Sequence, residues 1–145
     1  QKNEITSSIE YAEKIQNAIL PSLDLFQEYL KNSFVFYLPR DIVSGDFYWL
    51  HPSNNEILVA CADCTGHGVP GAIVSMLGYN GLNSSVNEKK LKEPKDILNN
   101  LNDYIENTFS KSKENIYTAF QSITFLVVLA SKSYIDCTSP QRDQP

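Results

Sequence analysis

The chain has 145 residues, 42% of them hydrophobic, which is typical of one domain with a real core. A formal net charge of −5 without a basic run makes nucleic acid an unexpected partner. Three cysteines, an odd number, argue against a disulfide framework and favour a reducing compartment. No apolar stretch is long enough to form a membrane segment, and the first residues lack a signal-peptide pattern, so we expect a cytoplasmic protein.

The first predicted element is an amphipathic helix over residues 4–20. Hydroxyl residues at 6–8 can cap its start, and Pro21 ends it. Its apolar face, with Gln16 completing the row, consists of Ile5, Ile9, Ala12 and Ile19. Two interpretations stay open for this helix. It is either an ordinary helix packed on its own domain or a helix for signalling and dimerisation.

Three strand-like segments follow, over residues 33–38, 46–50 and 56–62. A turn-forming run over residues 51–55 separates the second segment from the third, so we expect neighbours in an antiparallel meander. Alternation places four residues on one face of the third strand, namely Ile57, Val59, Cys61 and Asp63. Asp63 therefore leaves the sheet at the strand end, where a turn can aim it.

Two helices and one further strand complete the predicted α+β fold. Pro70 fits the first turn of a helix, and Pro94 opens another. The apolar stripe of this second helix is Ile97, Leu98, Leu101, Ile105 and Phe109. Residues 84–93 between the helices are predicted to be a polar connector. Residues 123–130 are predicted to form a buried strand, and residues 139–145 have the composition of a disordered tail.

Two aspartates in glycine-bearing turns are the main candidates for chemistry. The first lies in Ser44-Gly45-Asp46-Phe47-Tyr48, and the second lies in Ala62-Asp63-Cys64-Thr65-Gly66-His67-Gly68-Val69-Pro70-Gly71-Ala72. A carboxylate that leaves a strand in this way loses hydration unless a cation meets it. Two of them on paired strands indicate a divalent ion, and oxygen ligands suit Mg²⁺ or Mn²⁺. The alternative for each aspartate is a turn residue that hydrogen-bonds its own backbone.

Other polar residues near these turns have open roles. His67 is a candidate proton donor, since an imidazole titrates near neutral pH, or it simply fills the turn between two glycines. Arg40 is a candidate for binding substrate phosphate, whereas Asp41 is interpreted as a strand-end turn residue. Cys61 and Cys64 form a Cys-x-x-Cys pair. We interpret them as small residues packed near a turn rather than as a redox or zinc site.

The two aspartate motifs, in this order and spacing, resemble the SpoIIE-like branch of the metal-dependent serine/threonine protein phosphatases, the PPM family. The resemblance covers roughly residues 5–109 and includes a linker helix at its start. It implies an α/β/β/α sandwich of antiparallel sheets flanked by helices. It also implies that Asp46, Asp63 and the backbone carbonyl of Cys64 are metal ligands, for two Mn²⁺ or Mg²⁺ ions in the complete site.

The implied function is metal-dependent hydrolysis of phosphoserine or phosphothreonine on a bacterial regulatory protein of the anti-sigma factor antagonist type. Asp46, Asp63 and His67 would be catalytic, and Arg40 would bind substrate. The implied domains are a linker and dimerisation helix over residues 1–21, a partial phosphatase domain over residues 22–138, and a tail over residues 139–145.

The later strand motif and the downstream aspartates of the family have no match here, so the resemblance implies an incomplete, C-terminally truncated domain. The alternative function is therefore a catalytically incomplete module that dimerises or binds a partner. Missing strands leave sheet edges exposed, for which a homodimer is a natural remedy. A third interpretation is an α+β domain whose turn aspartates are structural and whose stability does not respond to metal.

Overall fold

Most of the predicted helices and strands are present in the fold, and a short helix over Leu23–Tyr29 that the sequence did not predict is added to them. A computed structural model describes residues 2–53, 56–64, 66–110 and 124–131, with side chains given over residues 3–110 of these ranges. The elements are α1 (Lys2–Ile19), α2 (Leu23–Tyr29), β1 (Phe47–Pro52), β2 (Glu56–Asp63), α3 (Gly68–Asn83), a π-helical turn (Ser84–Glu88), α4 (Pro94–Phe109) and β3 (Thr124–Ser131). This is an α+β fold, as the sequence predicts.

The strands form one antiparallel sheet in the order β1-β2-β3. Phe47 pairs with Ala62 at one end of the β1–β2 ladder, and Pro52 pairs with Ile57 at the other. On the opposite edge of β2, Asp63 pairs with Thr124 of β3. The meander of the second and third predicted segments is therefore confirmed, and so is the strand character of the last predicted strand, whose predicted burial stays a prediction.

The strand predicted over residues 33–38 is wrong, because the structure has no strand there. Phe34, Phe36 and Leu38 are 89%, 82% and 79% exposed. Aromatic and β-branched residues favour strands because they fit a pleated, half-buried surface. This segment has no ladder partner among the described strands, so its composition alone does not make it part of the sheet.

The sheet is covered on both faces. The larger core lies between the sheet and the helices that follow it, and includes Phe47, Trp49, Leu58, Ala60, Val74, Leu82, Ile97 and Leu101. On the other face, Phe26 of α2 packs with Leu50 and Ile57. The predicted alternation along β2 is thus observed, with Leu58 and Ala60 on one side and Ile57 on the other. Packing on both faces holds β1 and β2 in place, so the positions of their ends are also well defined.

The predicted polar connector over residues 84–93 is wrong at its start, where a π-helical turn continues directly from α3. Ser85 is fully buried and Val86 is 6% exposed. The Ser85 hydroxyl donates to the Gly81 carbonyl at 2.7 Å and accepts from the Asn100 side-chain amide at 2.7 Å. Because these polar groups satisfy one another inside the core, polar composition did not mean exposure here.

The predicted first helix is confirmed as α1, although most of its predicted apolar row is not buried. Ile5 is 63% exposed, whereas Gln16 is 5% exposed. Across the described residues, none of the helices combines the length and apolar character needed to span a membrane. The proposed boundaries at residues 21 and 138 stay predictions, and the predicted tail lies outside the described residues.

Candidate metal and phosphate site

The register of the sheet sets the two candidate aspartates opposite each other. Asp46 directly precedes Phe47, Asp63 directly follows Ala62, and Phe47 pairs with Ala62. The next position in this register is therefore Asp46 against Asp63. Residues directly opposite on antiparallel strands have Cβ atoms about 4.5–5.5 Å apart. Both residues are exposed, so a cation can reach the carboxylates from solvent.

The neighbouring Asp63 affects the ionisation of Asp46. Partial burial of its carboxyl group, followed by the charge and the hydrogen bond of Asp63, raises the pKa of Asp46 above its ordinary value. Like charges directly across a strand pair are destabilising. A divalent cation placed between two such carboxylates would be attracted to both of them.

Three glycines bring the second turn against the first. A Cβ on Gly45 would lie 2.8 Å from the Gly66 carbonyl oxygen and 2.9 Å from the Cys64 carbonyl oxygen. A Cβ on Gly71 would lie 2.6 Å from the Gly66 carbonyl oxygen. Gly66 also has a φ of +96°, which a side chain would strain. This crossing places the Cys64 carbonyl beside the loop that carries Asp46, where the sequence resemblance expects a third metal ligand.

One cleft of about 310 Å³ contains every residue that the sequence nominated for the site. Its lining is Arg40, Asp41, Val43, Ser44, Gly45, Asp46, Asp63, Cys64, Gly66 and His67. The structure thus brings together the two aspartates, the candidate proton donor and the candidate phosphate-binding arginine. Within the described ranges, no three His, Cys, Asp or Glu side chains are grouped so that they could hold a metal ion. The described side chains therefore supply a carboxylate pair rather than a complete cage.

Asp41 has a role that the sequence did not reveal. Its Oδ2 lies 2.9 Å from Nδ1 of His67, which is the residue at the N-cap of α3. When Nδ1–H donates to this carboxylate, Nε2 is the nitrogen left for proton exchange with another group. The two residues are 26 positions apart in the sequence, and no local sequence motif predicts their contact.

The Cys-x-x-Cys pair does not form one site. Cys61 is exposed, whereas Cys64 is 3% exposed and belongs to the main core. Burial, with the nearby negative charges of Asp46 and Asp63, raises the pKa of the Cys64 thiol to about 12. A neutral, buried thiol is a poor nucleophile and a poor metal ligand. The Cys64 side chain is therefore a packing group beside the site.

Comparisons with known proteins identify the family. The family model described as "Stage II sporulation protein E (SpoIIE)" matches residues 53–138. The phosphoserine phosphatase RsbU of Bacillus subtilis (strain 168) is 31% identical over 112 residues, which is 77% of this chain and 32% of RsbU.

A solved structure supports the same assignment. The SiaA-PP2C domain of Pseudomonas aeruginosa superposes with a TM-score of 0.74 at 28% identity, over 92% of this chain and 51% of that one. The chain thus spans about a third of RsbU and about half of the SiaA structure. Because the family model covers more than half of the sequence, the chain belongs to the SpoIIE family, within the PPM branch of protein phosphatases.

Proposed function

We propose that the protein to which these residues belong hydrolyses phosphoserine or phosphothreonine on a regulatory protein, with Mn²⁺ or Mg²⁺ bound at Asp46 and Asp63. The observation that carries the proposal is the sheet register, which sets two exposed carboxylates opposite each other. The similarity to RsbU, a phosphoserine phosphatase, supports the reaction class. A substrate of the anti-sigma factor antagonist type is the finer proposal, and it comes from the family resemblance.

The donor set suits these metals. Two carboxylates and a backbone carbonyl are hard oxygen ligands, which favour Mg²⁺ and Mn²⁺ over softer ions. Among the described residues that line the cleft, only Cys64 carries sulfur, and the raised pKa of this buried thiol keeps it protonated. When bound, the ions supply a hydroxide nucleophile and neutralise phosphoryl charge.

The protein's own residues then divide the remaining tasks. Asp46 and Asp63 hold the cation, and the guanidinium of Arg40, on the wall of the same cleft, binds phosphate oxygens. With both ring nitrogens protonated, His67 donates the Nε2 proton to the leaving alkoxide, while Asp41 accepts from Nδ1–H and fixes the orientation of the ring. The N-terminal end of α3 adds a favourable field for an anion in the cleft.

Thermal unfolding of this chain in EDTA and in excess Mn²⁺ tests the proposal. A ligand that binds only the folded state adds about 2.7 kcal/mol at a hundredfold excess over its dissociation constant. We expect Asp63→Asn to abolish this shift and Asp103→Asn, at an exposed aspartate on α4, to preserve it. Unfolding that is indifferent to Mn²⁺ in the unsubstituted chain would contradict the proposal and favour a purely structural role for the aspartates.

A second candidate function, a dimerising module, is supported by exposed apolar residues on α1. Ile5, Tyr11 and Ile15 are 63%, 66% and 43% exposed. Single exposed apolar residues are common, but three on one helix favour a second copy of that helix as their partner. Sedimentation velocity of the chain and of Ile15→Glu tests this. Two results together would favour the dimerising module over the phosphatase. The chain would form a dimer that Ile15→Glu dissociates, and Mn²⁺ would leave its unfolding temperature unchanged.

A further inference from the structure

Another cavity, with a volume of about 300 Å³, lies at the opposite end of the sheet from the metal and phosphate site. Its lining includes His51, which pairs with Leu58 near the far end of the β1–β2 ladder. Asp46 precedes His51 by five positions. A strand rises about 3.3 Å per residue, so the two positions are about 16 Å apart along β1. The cavity is therefore separate from the cleft that contains the aspartates.

The cavity has an apolar floor and a cationic rim. The floor is formed by the buried side chains of Leu58 and Val86, which are 5% and 6% exposed, together with the half-buried Leu91. The rim carries the exposed residues Lys90 and Lys92. In the described part of the chain, neither ammonium group has an ion-pair partner. A ligand with an apolar body and an anionic group fits this combination of surfaces.

Positive charge is concentrated on the segment that forms the rim. Four of the 12 lysine and arginine residues lie within positions 89–95, although the formal net charge of the chain is −5. Lys89 is already bound, because its Nζ donates to the side-chain oxygen of Asn100. Lys95 is not among the residues that line the cavity. Lys90 and Lys92 are thus the two cations of this segment that a ligand in the cavity would meet.

Lys90 has a backbone conformation that is rare for its residue type. Its φ is +56°, and it is the only described residue other than glycine with a positive φ. Glycine or asparagine usually has this conformation at a helix end. The N–H groups of Lys89 and Leu91 donate to the carbonyls of Ser84 and Ser85 at 3.1 and 3.0 Å, so the backbone is held on both sides of Lys90. Strained residues of this kind are concentrated at functional sites.

His51 adds a hydrogen-bonding group in a fixed orientation. Its ring stacks on that of Trp49, with the centroids 5.7 Å apart and an interplanar angle of 9°. Trp49 is 1% exposed, and its Nε1–H donates to the side-chain oxygen of Asn83 at 2.9 Å. Partial burial, followed by the charge of Lys90, lowers the pKa of His51. A bound anion would offset the charge of Lys90 and raise this pKa again.

We propose that this cavity binds an organic phosphate, with the phosphate group at Lys90 and Lys92 and the apolar part on Leu58 and Val86. This binding site is separate from the proposed catalytic function. A phosphate monoester carries about −1.5 to −2 charges at pH 7, which two ammonium groups match better than they match a single carboxylate. Glu56 also lines the cavity and opposes an anion, so we expect a dissociation constant on the order of 1 mM for a small probe.

The test is a ¹H NMR titration of the metal-free chain, after removal of chelator, with phenylphosphonate as an organic phosphate analogue. The chain has two histidines, so the ring protons of His51 report on this cavity and those of His67 report on the metal and phosphate site. We expect a saturable shift of the His51 signals and a higher pKa of His51 at saturation. Inorganic phosphate lacks the apolar part and should bind at least about threefold more weakly.

Three variants identify the residues that hold the phosphate group. Lys90→Asn removes the cation and introduces a residue that tolerates the left-handed conformation, so the backbone should keep its shape. Lys92→Gln removes the second cation. Lys95→Gln removes the same charge from the same segment, outside the cavity lining, and is the matched control. We expect each of the first two to weaken phenylphosphonate binding about fivefold or more, and the control to bind within about twofold of the unsubstituted chain.

Several results would overturn this binding site. If only the His67 signals shift, the probe binds at the metal and phosphate site instead. A His51 shift that does not saturate by about 10 mM would exclude a built site. Equal weakening by Lys90→Asn and Lys95→Gln would show general attraction to a cationic surface, and equal binding of the two probes would exclude an organic ligand. If Lys90→Asn does not fold, Lys92→Gln decides alone, and its unchanged binding would overturn the assignment.

Discussion

Replacing Asp46 by asparagine is expected to stabilise the metal-free protein while removing its response to metal. The carboxylate of Asp46 has a raised pKa because of partial burial and the facing Asp63. A carboxyl group whose pKa is higher in the folded state than in the unfolded state binds protons more tightly when folded. Its ionisation therefore opposes folding. The penalty is absent below the ordinary value of 3.8, grows as pH rises to the raised pKa, and is fully present at neutral pH.

The size of the gain follows from the position of the pair. Facing like charges on a strand pair cost about 0.2–1 kcal/mol. Both aspartates are exposed, and solvent screening favours the lower half of that range, about 0.2–0.5 kcal/mol. For a domain of this size, that gain raises the unfolding temperature by about 1–2 °C. Asp46→Asn also removes a ligand, so the Mn²⁺ stabilisation of about 2.7 kcal/mol at a hundredfold excess should disappear.

Differential scanning calorimetry at pH 7.5, in EDTA and in Mn²⁺, measures both effects on one sample. Asp103→Asn removes the same charge far from any facing carboxylate and serves as the control, with unfolding temperatures unchanged in either condition. If Asp46→Asn unfolds at a lower temperature than the unsubstituted protein in EDTA, the predicted charge repulsion between Asp46 and Asp63 is refuted. A persisting Mn²⁺ shift would refute the assignment of Asp46 as a ligand.

Three further outcomes are expected. His67→Ala should lower the kcat of the complete enzyme about 10²–10⁴-fold on a phosphoserine peptide, yet change the free energy of unfolding by less than about 0.5 kcal/mol. In calorimetry, Gly71→Ala should lower the free energy of unfolding by about 1–3 kcal/mol, and by more than Gly81→Ala does. The new Cβ at position 71 would meet backbone atoms, which cannot easily move, whereas the new Cβ at position 81 would meet side chains. Mass spectrometry after iodoacetamide treatment at pH 8 should find Cys61 modified and Cys64 protected until unfolding, since the pKa of the Cys64 thiol is about 12.

Local sequence patterns predicted most of the elements, because periodicity and turn residues act over short distances. Alternation along residues 56–62 placed Asp63 at a strand end, and the turn between the second and third predicted segments set them as antiparallel neighbours. These two points are enough to expect Asp46 and Asp63 close together. The glycines of the second motif were also visible in the sequence, although the partners they would contact were not.

The wrong predictions share a physical cause. The composition of a segment indicates its local preference, but it does not reveal which other part of the chain the segment will contact. Residues 33–38 have strand composition, but strand formation also needs a neighbouring ladder. Ser85 is polar and was assigned to a connector, yet a hydrogen bond from Asn100 makes its burial favourable. Likewise, the contact of Asp41 with His67 depends on how α3 is placed, which no window of the sequence encodes.

Gln16 shows that a helical pattern can place a residue on a face without revealing which residue of that face is buried. Gln16 completes the apolar row of α1 in the sequence, and it is the one member of that row that is buried, at 5% exposed. What the pattern lacks is the reason for an amide rather than an apolar group. Its partners explain the amide, because Gln16 bonds both the buried N–H and the buried carbonyl of Ser44, and no sequence pattern reveals that contact.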